Sequence, residues 1–356
     1  MMDNTAKTPH HQTVKWLISS LIFLMIVVLL IFGLGKVMQD KTSKTNVTPI
    51  YDKDAKYDVI LTGTSHVVSS LFPMVMWENN GITACNYAQT GQLGPVTYYS
   101  IKEALEVTSP ELVVCDLYYV YIGNKMAGST AYKHQTLDNM RLLSPARISA
   151  IFDVIENGEK GNFLLPFFAY HSRWSDMHKR DFAETVSYTK GSSETFTRKE
   201  EDFPASFVPI SQDDVKTPSS AIIGYIDSII QLCKEKDVQL LFTVVPYYPQ
   251  GEEQGRVLEG DQQLFNWVED YVESQDVECL NMLYCLDDMG FDMDAHMREW
   301  NHQNYWGGEV TSKYLANYIQ ENYGIADHRG EAGYENWDED FRQYDKWRQQ
   351  KLKTAK

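Results

Sequence analysis

Apolar positions along the 356-residue chain fall into two patterns. The first is an unbroken run: Trp16 to Gly35 is twenty residues without a charge, bracketed by Lys15 and Lys36. A helix rising about 1.5 Å per residue spans roughly 30 Å over that length, the thickness of a bilayer's hydrocarbon core. A cleaved signal peptide has a shorter apolar region, about 7–15 residues, followed by a small-residue cleavage site. This run is longer and no such site follows, so it predicts an uncleaved anchor. The second pattern alternates short apolar runs with amphipathic stretches. Tyr57–Leu61, Ile82–Asn86, Glu111–Leu117, Val238–Val245 and Val277–Leu280 predict strands, and Val67–Asn79, Val96–Val107, Ala221–Lys236, Gln262–Ser274 and Tyr305–Tyr323 predict helices.

Strands alternating with helices of this length mean βαβ units and a mostly parallel sheet covered on both faces, a three-layer αβα sandwich of flavodoxin-like kind. The chain then divides into a leader (1–15), the anchor (16–35), a polar linker (36–50), an α/β domain (51–326) and a tail (327–356). Residues 123–215 break the alternation. They hold a helical stretch at Pro145–Ile155 and an aromatic run at Phe163–Trp174, and read as an insertion over one edge of the sheet. The tail interleaves Tyr334, Trp337, Phe341, Tyr344 and Trp347 with balanced charge, which predicts that it docks back on the domain.

Composition narrows the function classes. A hydrophobic fraction of 43% with 23% charged residues describes a folded protein rather than a disordered one. The net charge of −17 argues against a nucleic-acid partner, because phosphate contacts need clustered Lys and Arg. Five cysteines without a C-x-x-C pair exclude a disulfide-dense scaffold and a zinc ribbon. A mean hydropathy of −0.38 excludes a polytopic membrane protein. Flanking charge does not orient the anchor: Lys7 and Lys15 stand on one side, Lys36, Lys41 and Lys44 with Asp40 on the other. A short leader, one anchor and a large following domain fit an N-in, C-out arrangement. The sequon Asn46-Val47-Thr48 has meaning only in a glycosylating host.

Candidate chemistry begins at Gly63-Thr64-Ser65-His66, directly after the first strand. A serine there is either a helix cap or a nucleophile exposed beside backbone N–H groups able to hold an oxyanion. The α/β-hydrolase elbow is a poor match, since Val67 stands where its second glycine belongs. A base is offered near the C-terminus, where Glu299 precedes His302 by three residues and the last helix follows. An acid so placed can hold one imidazole nitrogen while the other faces the serine. Weaker candidates are His171 and Arg173 for an anionic or sugar ligand, and Tyr247-Tyr248 as cleft lining at a strand's C-terminal end. His296 and His302, six apart, lack the spacing of a zinc site, and no metal or organic cofactor is expected.

Taken together, G-T-S-H at Ser65, Asn86–Gln92, Leu112–Leu117, Tyr170–Trp174 and His302–Leu315, with Asp327–Gly330 and Trp337–Asp340 in the tail, resemble the SGNH/GDSL superfamily of hydrolases and acyltransferases. The resemblance is to its membrane-anchored bacterial subgroup related to the D-alanyl transfer protein of teichoic acid synthesis, which accompanies membrane-bound O-acyltransferases. It implies Ser65 as nucleophile, His302 as general base, residue 299 as the imidazole's orienter, and Gly91 with the Ser65 amide as oxyanion hole. The substrate cleft is expected among His66, Gln92, Asp116, Tyr247 and Asn304. Two departures stand out. Glu299 replaces the usual Asp, so that either Glu299 or Asp294 serves, and Cys115-Asp116 stands where the superfamily's G-x-N-D asparagine is absent.

The resulting expectation is a single-pass, extracytoplasmic serine esterase or O-acyltransferase acting on a cell-surface glycan. The rival is a non-catalytic accessory that binds glycan or docks on a membrane-bound O-acyltransferase. No motif encodes the acyl group, the acceptor, or the choice of hydrolysis over transfer.

Overall fold

The computed structural model describes residues 10–39, 48–52, 56–122, 130–182, 187–203, 207–249, 251–253, 256–257 and 259–355. Most of the leader, the linker residues 40–47 with Asn46, and parts of the 123–215 stretch lie outside the described residues. The chain divides into two units, Met1–Lys41 with Glu156–Ala183, and Thr42–Ile155 with Glu184–Lys356.

The first unit is built on helix α1 (His10–Met38), which outruns the apolar stretch at both ends. Its residues Gln12–Met38 are long and apolar enough to cross a membrane. Short helices at Lys160–Leu164 and Pro166–Tyr170 and 3-10 turns at His171–Ser175 and Lys179–Phe182 complete it. The stretch 123–215 is divided between the two units. Its aromatic segment clusters with α1, while the helix at Pro145–Val154 belongs to the second unit.

The second unit is a mixed α/β body around a five-stranded sheet: β1 (Val59–Thr62), β2 (Ala84–Asn86), β3 (Leu112–Asp116), β4 (Gln239–Val244) and β5 (Glu278–Asn281). The strand order is β2-β1-β3-β4-β5 and every pairing is parallel, with Val59 opposite Ala84 and Leu112 in the registers flanking β1. Strand residues alternate between two cores, as a period-2 backbone requires. Val59, Leu61, Val114 and Leu241 face one, Ile60, Val113, Cys115 and Phe242 the other. The helices that cover the sheet include α2 (Ser65–Ser70), α3 (Pro73–Asn80), α4 (Gly94–Val107), α5 (Ser220–Lys236), α6 (Glu259–Glu273) and α7 (Tyr305–Tyr323). Leu315, Ala316 and Ile319 of α7 close the first core; Ile101 and Ala104 of α4 and Ile226 and Ile229 of α5 close the second.

One predicted helix is in fact two. Pro73 excludes the helical conformation for the residue before it, so Phe72 is extended and Val67–Asn79 splits into α2 and α3. The tail forms helix α8 (Glu335–Thr354). Trp337 is buried against Trp77 and Tyr57, and Arg348 holds Glu78 of α3 through two hydrogen bonds of 2.7 and 3.1 Å.

In this strand order the chain reverses direction across the sheet between β1 and β3, each winding outward from there. Such a switch point leaves a crevice at the strands' C-terminal ends, where parallel sheets place their ligands. Both Ser65 and Asp116 follow or end the strands that flank it.

Candidate active site

The turn after β1 is shaped by Gly63. Its φ of +151° is closed to most side chains, and a Cβ there would stand 2.8 Å from both Asp116 Cβ and Val67 Cγ2. The turn can thus lie against the end of β3. Thr64, not Ser65, caps α2: its hydroxyl accepts from the His66 N–H. Ser65 is left as the first helical residue with its hydroxyl free to turn elsewhere, and it faces His302 Nε2 at 2.8 Å.

His302 comes from a hairpin that periodicity does not announce. Strands β6 (Met297–Glu299) and β7 (His302–Gln303) pair antiparallel across the two-residue turn Trp300-Asn301, with Glu299 directly opposite His302. Cross-strand neighbours lie close enough for their side chains to meet. Glu299 Oε1 is 2.5 Å from His302 Nδ1, and Asp294 is elsewhere, bonded to Lys199 and to the Phe203 N–H. The hairpin is pinned in place by Gln303, whose amide donates to the Pro246 carbonyl beyond β4 and accepts from the Thr311 hydroxyl on α7.

Protonation states fit a relay. Burial pushes the His302 imidazole below its ordinary range, offset in part by Glu299 and reinforced by Arg298. The ring is therefore neutral at pH 7, and a neutral Nε2 can accept a proton from Ser65. Burial alone would push Glu299 up, but the Arg298 guanidinium and His302 hold it below the usual carboxylate range. Arg298 was not singled out in the sequence. It donates to the same Glu299 oxygen at 2.6 Å and to the Thr195 hydroxyl at 3.3 Å, fixing the carboxylate from behind.

The expected cleft residues sort into two groups. His66 lies beside the relay, buried, stacked on Tyr118 at 3.6 Å and edge-on to His302 at 5.7 Å. Burial, then the nearby His302, keeps it well below the ordinary imidazole range. Tyr247 is buried behind it, 5.2 Å from the His66 ring. Asp116 ends β3 and accepts the N–H groups of Tyr118 and Val245; burial raises its carboxyl to about 7. Gln92 and Asn304, by contrast, are held by hydrogen bonds to the surrounding fold. The Gln92 amide is buried between the hydroxyls of Thr62 and Thr97, while Asn304 caps α7 through Gly307 N–H and donates to the carbonyls of Arg198 and Ala295. The Gln92 Oε1, buried and without a hydrogen-bond partner, is the amide atom these bonds leave over.

Gly91 sits in the loop after β2 with a φ of +66°, and the Tyr132 ring occupies the space a side chain would need. That loop is tied to the turn after β1 by the Gln89 N–H, which donates to the Gly63 carbonyl. Asn86, at the end of β2, donates to the carbonyls of Val67 and Leu71 and so fixes α2. Of the weaker candidates, Tyr248 packs on Phe203 and Phe207, and His296 accepts the Asp292 N–H. Arg173 is committed to the Met38 carbonyl and Asp181 within the first unit, where His171 Nδ1 lies 3.0 Å from the Phe168 carbonyl. Among the described residues no group of three or more His, Cys, Asp or Glu side chains is disposed to hold a metal ion.

No protein-family model matches the chain, and no curated protein matches it. A solved structure assigned to the G-D-S-L family of lipolytic proteins, from Desulfitobacterium hafniense DCB-2, is similar over 73% of this chain and 97% of its own, at 11% identity and a TM-score of 0.38. At that level of likeness a functional assignment rests on the site itself.

Proposed function

We propose that the chain is a serine esterase or O-acyltransferase of SGNH/GDSL type that works through an acyl-Ser65 intermediate. The observation that carries the reading is the continuous path from Ser65 Oγ through His302 to Glu299, with hydrogen bonds of 2.8 and 2.5 Å. Ser65 Oγ attacks an acyl carbonyl and passes its proton to His302 Nε2, while Glu299 steadies the imidazolium at Nδ1. The Ser65 backbone N–H, at the first turn of α2, and the Gly91 N–H receive the oxyanion. His302 then protonates the leaving oxygen. In the second half it takes a proton from water or a sugar hydroxyl, which releases the acyl group as acid or transfers it.

The apolar helix α1 supports a single-pass anchor, and the acidic charge of the remainder supports a neutral cell-surface glycan as acceptor in preference to an anionic polymer. An anchored domain of this kind acts outside the cytoplasm, in company with a membrane-bound O-acyltransferase that supplies acyl groups.

The test uses the full chain in detergent and a serine-directed fluorophosphonate. Wild type is labelled and Ser65→Ala is not; equal labelling of both overturns the nucleophile assignment. Restoration of surface acylation by a Ser65→Ala, His302→Ala double variant in a deletion strain would make the chain a docking accessory instead.

A further inference from the structure

The first unit holds more than an anchor. Outside α1, four Phe or Trp side chains are exposed among the described residues, and three of them, Phe168 (50%), Trp174 (71%) and Phe182 (66%), fall in this unit. Exposed aromatics gathered in one short stretch are unusual on a soluble surface and typical of a membrane–water boundary, where Trp sits at headgroup level and Phe at the headgroup–acyl boundary. Their position along α1 is fixed by close packing. Gly35, the last residue of the apolar run, lies so near the Phe167 backbone that a Cβ on it would stand 2.6 Å from the Phe167 nitrogen. The Arg173 guanidinium then donates to the Met38 carbonyl at 2.6 Å, satisfying a terminal carbonyl of α1, and to Asp181 at 3.1 Å. Asp181 in turn accepts the His178 N–H at 2.7 Å. A guanidinium and a carboxylate, both largely buried in this contact, hold the turns at Lys179–Phe182 to the end of the helix.

We propose that residues 160–182 are a lipid-surface binding element. Trp174 seats in the headgroup layer, and Phe168 and Phe182 at its acyl boundary, in the same bilayer that α1 spans, at the end of the helix marked by Lys36. The proposal rests on α1 being a membrane anchor. Depth selects lipid as the occupant: a segment packed on Gly35 stands where the apolar run gives way to Lys36, and that boundary lies at the hydrocarbon edge. Lys160, His171 and Lys179 add cationic or titratable groups suited to phosphate headgroups, interleaved with the aromatics.

The experiment places a nitroxide label, one at a time, at Phe168→Cys, Trp174→Cys and Phe182→Cys in the full chain reconstituted in phosphatidylglycerol–phosphatidylcholine nanodiscs. The unsubstituted chain serves as control for the native thiols, and labels at Met25→Cys and Val208→Cys are references for α1 and for an exposed residue of the other unit. The expected result is an oxygen-to-nickel-chelate accessibility ratio raised several-fold over Val208 at all three aromatic positions, yet below that at Met25. Ratios equal to Val208, with Met25 in lipid, overturn the proposal and leave the anchor intact. A water-like ratio at Met25 overturns both. Protection from oxygen and chelate alike means that protein covers the aromatics, which also overturns a lipid occupant.

Discussion

Glu299 carries one methylene more than the aspartate expected at its position, and the hairpin accommodates it. The two strands set Glu299 opposite His302, and Arg298 grips the same carboxylate oxygen at 2.6 Å, so the longer arm is held rather than loose. The two neighbours act on the imidazole in opposite senses, and the pH profile should separate them. In the proposed mechanism only neutral His302 accepts the serine proton, and its lowered pKa puts the acid limb of kcat/KM for ester cleavage on the acid side of 6.5. Arg298→Gln removes a cation that lowers the imidazole, so the limb moves to higher pH. Glu299→Gln removes the anion that raises it and reverses the tautomer preference; the limb moves lower and kcat falls roughly 10⁴-fold. A limb that stays put in both variants would show that His302 is not the titrating base. At this scale a serine at a strand end and an acid-x-x-His ahead of a helix are local signals, and the structure brings Ser65, His302 and Glu299 within hydrogen-bond distance. Arg298 was missed because nothing in its immediate sequence marks it as the partner of the Glu299 carboxylate, and the bonds that hold Gln92 to Thr62 and Asn304 to Arg198 join residues far apart in the chain.

Element boundaries followed the chain wherever a local stop signal exists. Helix α7 runs from Tyr305 to Tyr323 as read, since Asn304 caps it and Gly324, in the left-handed region, ends it. The break between α2 and α3 was also local, written in Pro73, and was overlooked because the apolar spacing continues across it. Helix α8 shows what periodicity cannot supply. Its aromatics signal docking, but only the fold reveals that Trp337 enters the core between Trp77 and Tyr57 and that Lys190, itself buried, pairs with Asp340 at 2.5 Å. Removing a fully buried indole leaves a cavity, and Trp337→Ala is expected to lower unfolding stability by about 3–5 kcal/mol. Denaturant unfolding measures it. A loss under about 1 kcal/mol would mean that the core does not need α8.

Charge is unevenly distributed along the whole molecule. Five bases against two acids stand in the first fifty residues, and the last thirty are balanced at seven each, so the acidic excess lies on residues 51–326. For exposed charges this acts over about a Debye length, roughly 8–10 Å near physiological salt. Cleavage of an acylated neutral glycan should accordingly be flat between about 0.05 and 0.5 M NaCl, whereas an anionic polymer should be cleaved faster as salt rises and repulsion is screened. Faster cleavage of the anionic polymer at low salt would reverse the assignment of acceptor. The grouping of residues 156–183 with α1 was the least legible feature, since it joins segments more than a hundred residues apart. A comparable separation governs the relay, whose serine and histidine stand 237 positions apart. Ribosomes add about 5–20 residues per second, so the histidine is made roughly 10–50 s after the serine, and α1 is made before either. On the proposed reading the nucleophile is therefore synthesised inert, and the anchor is made before the relay is complete.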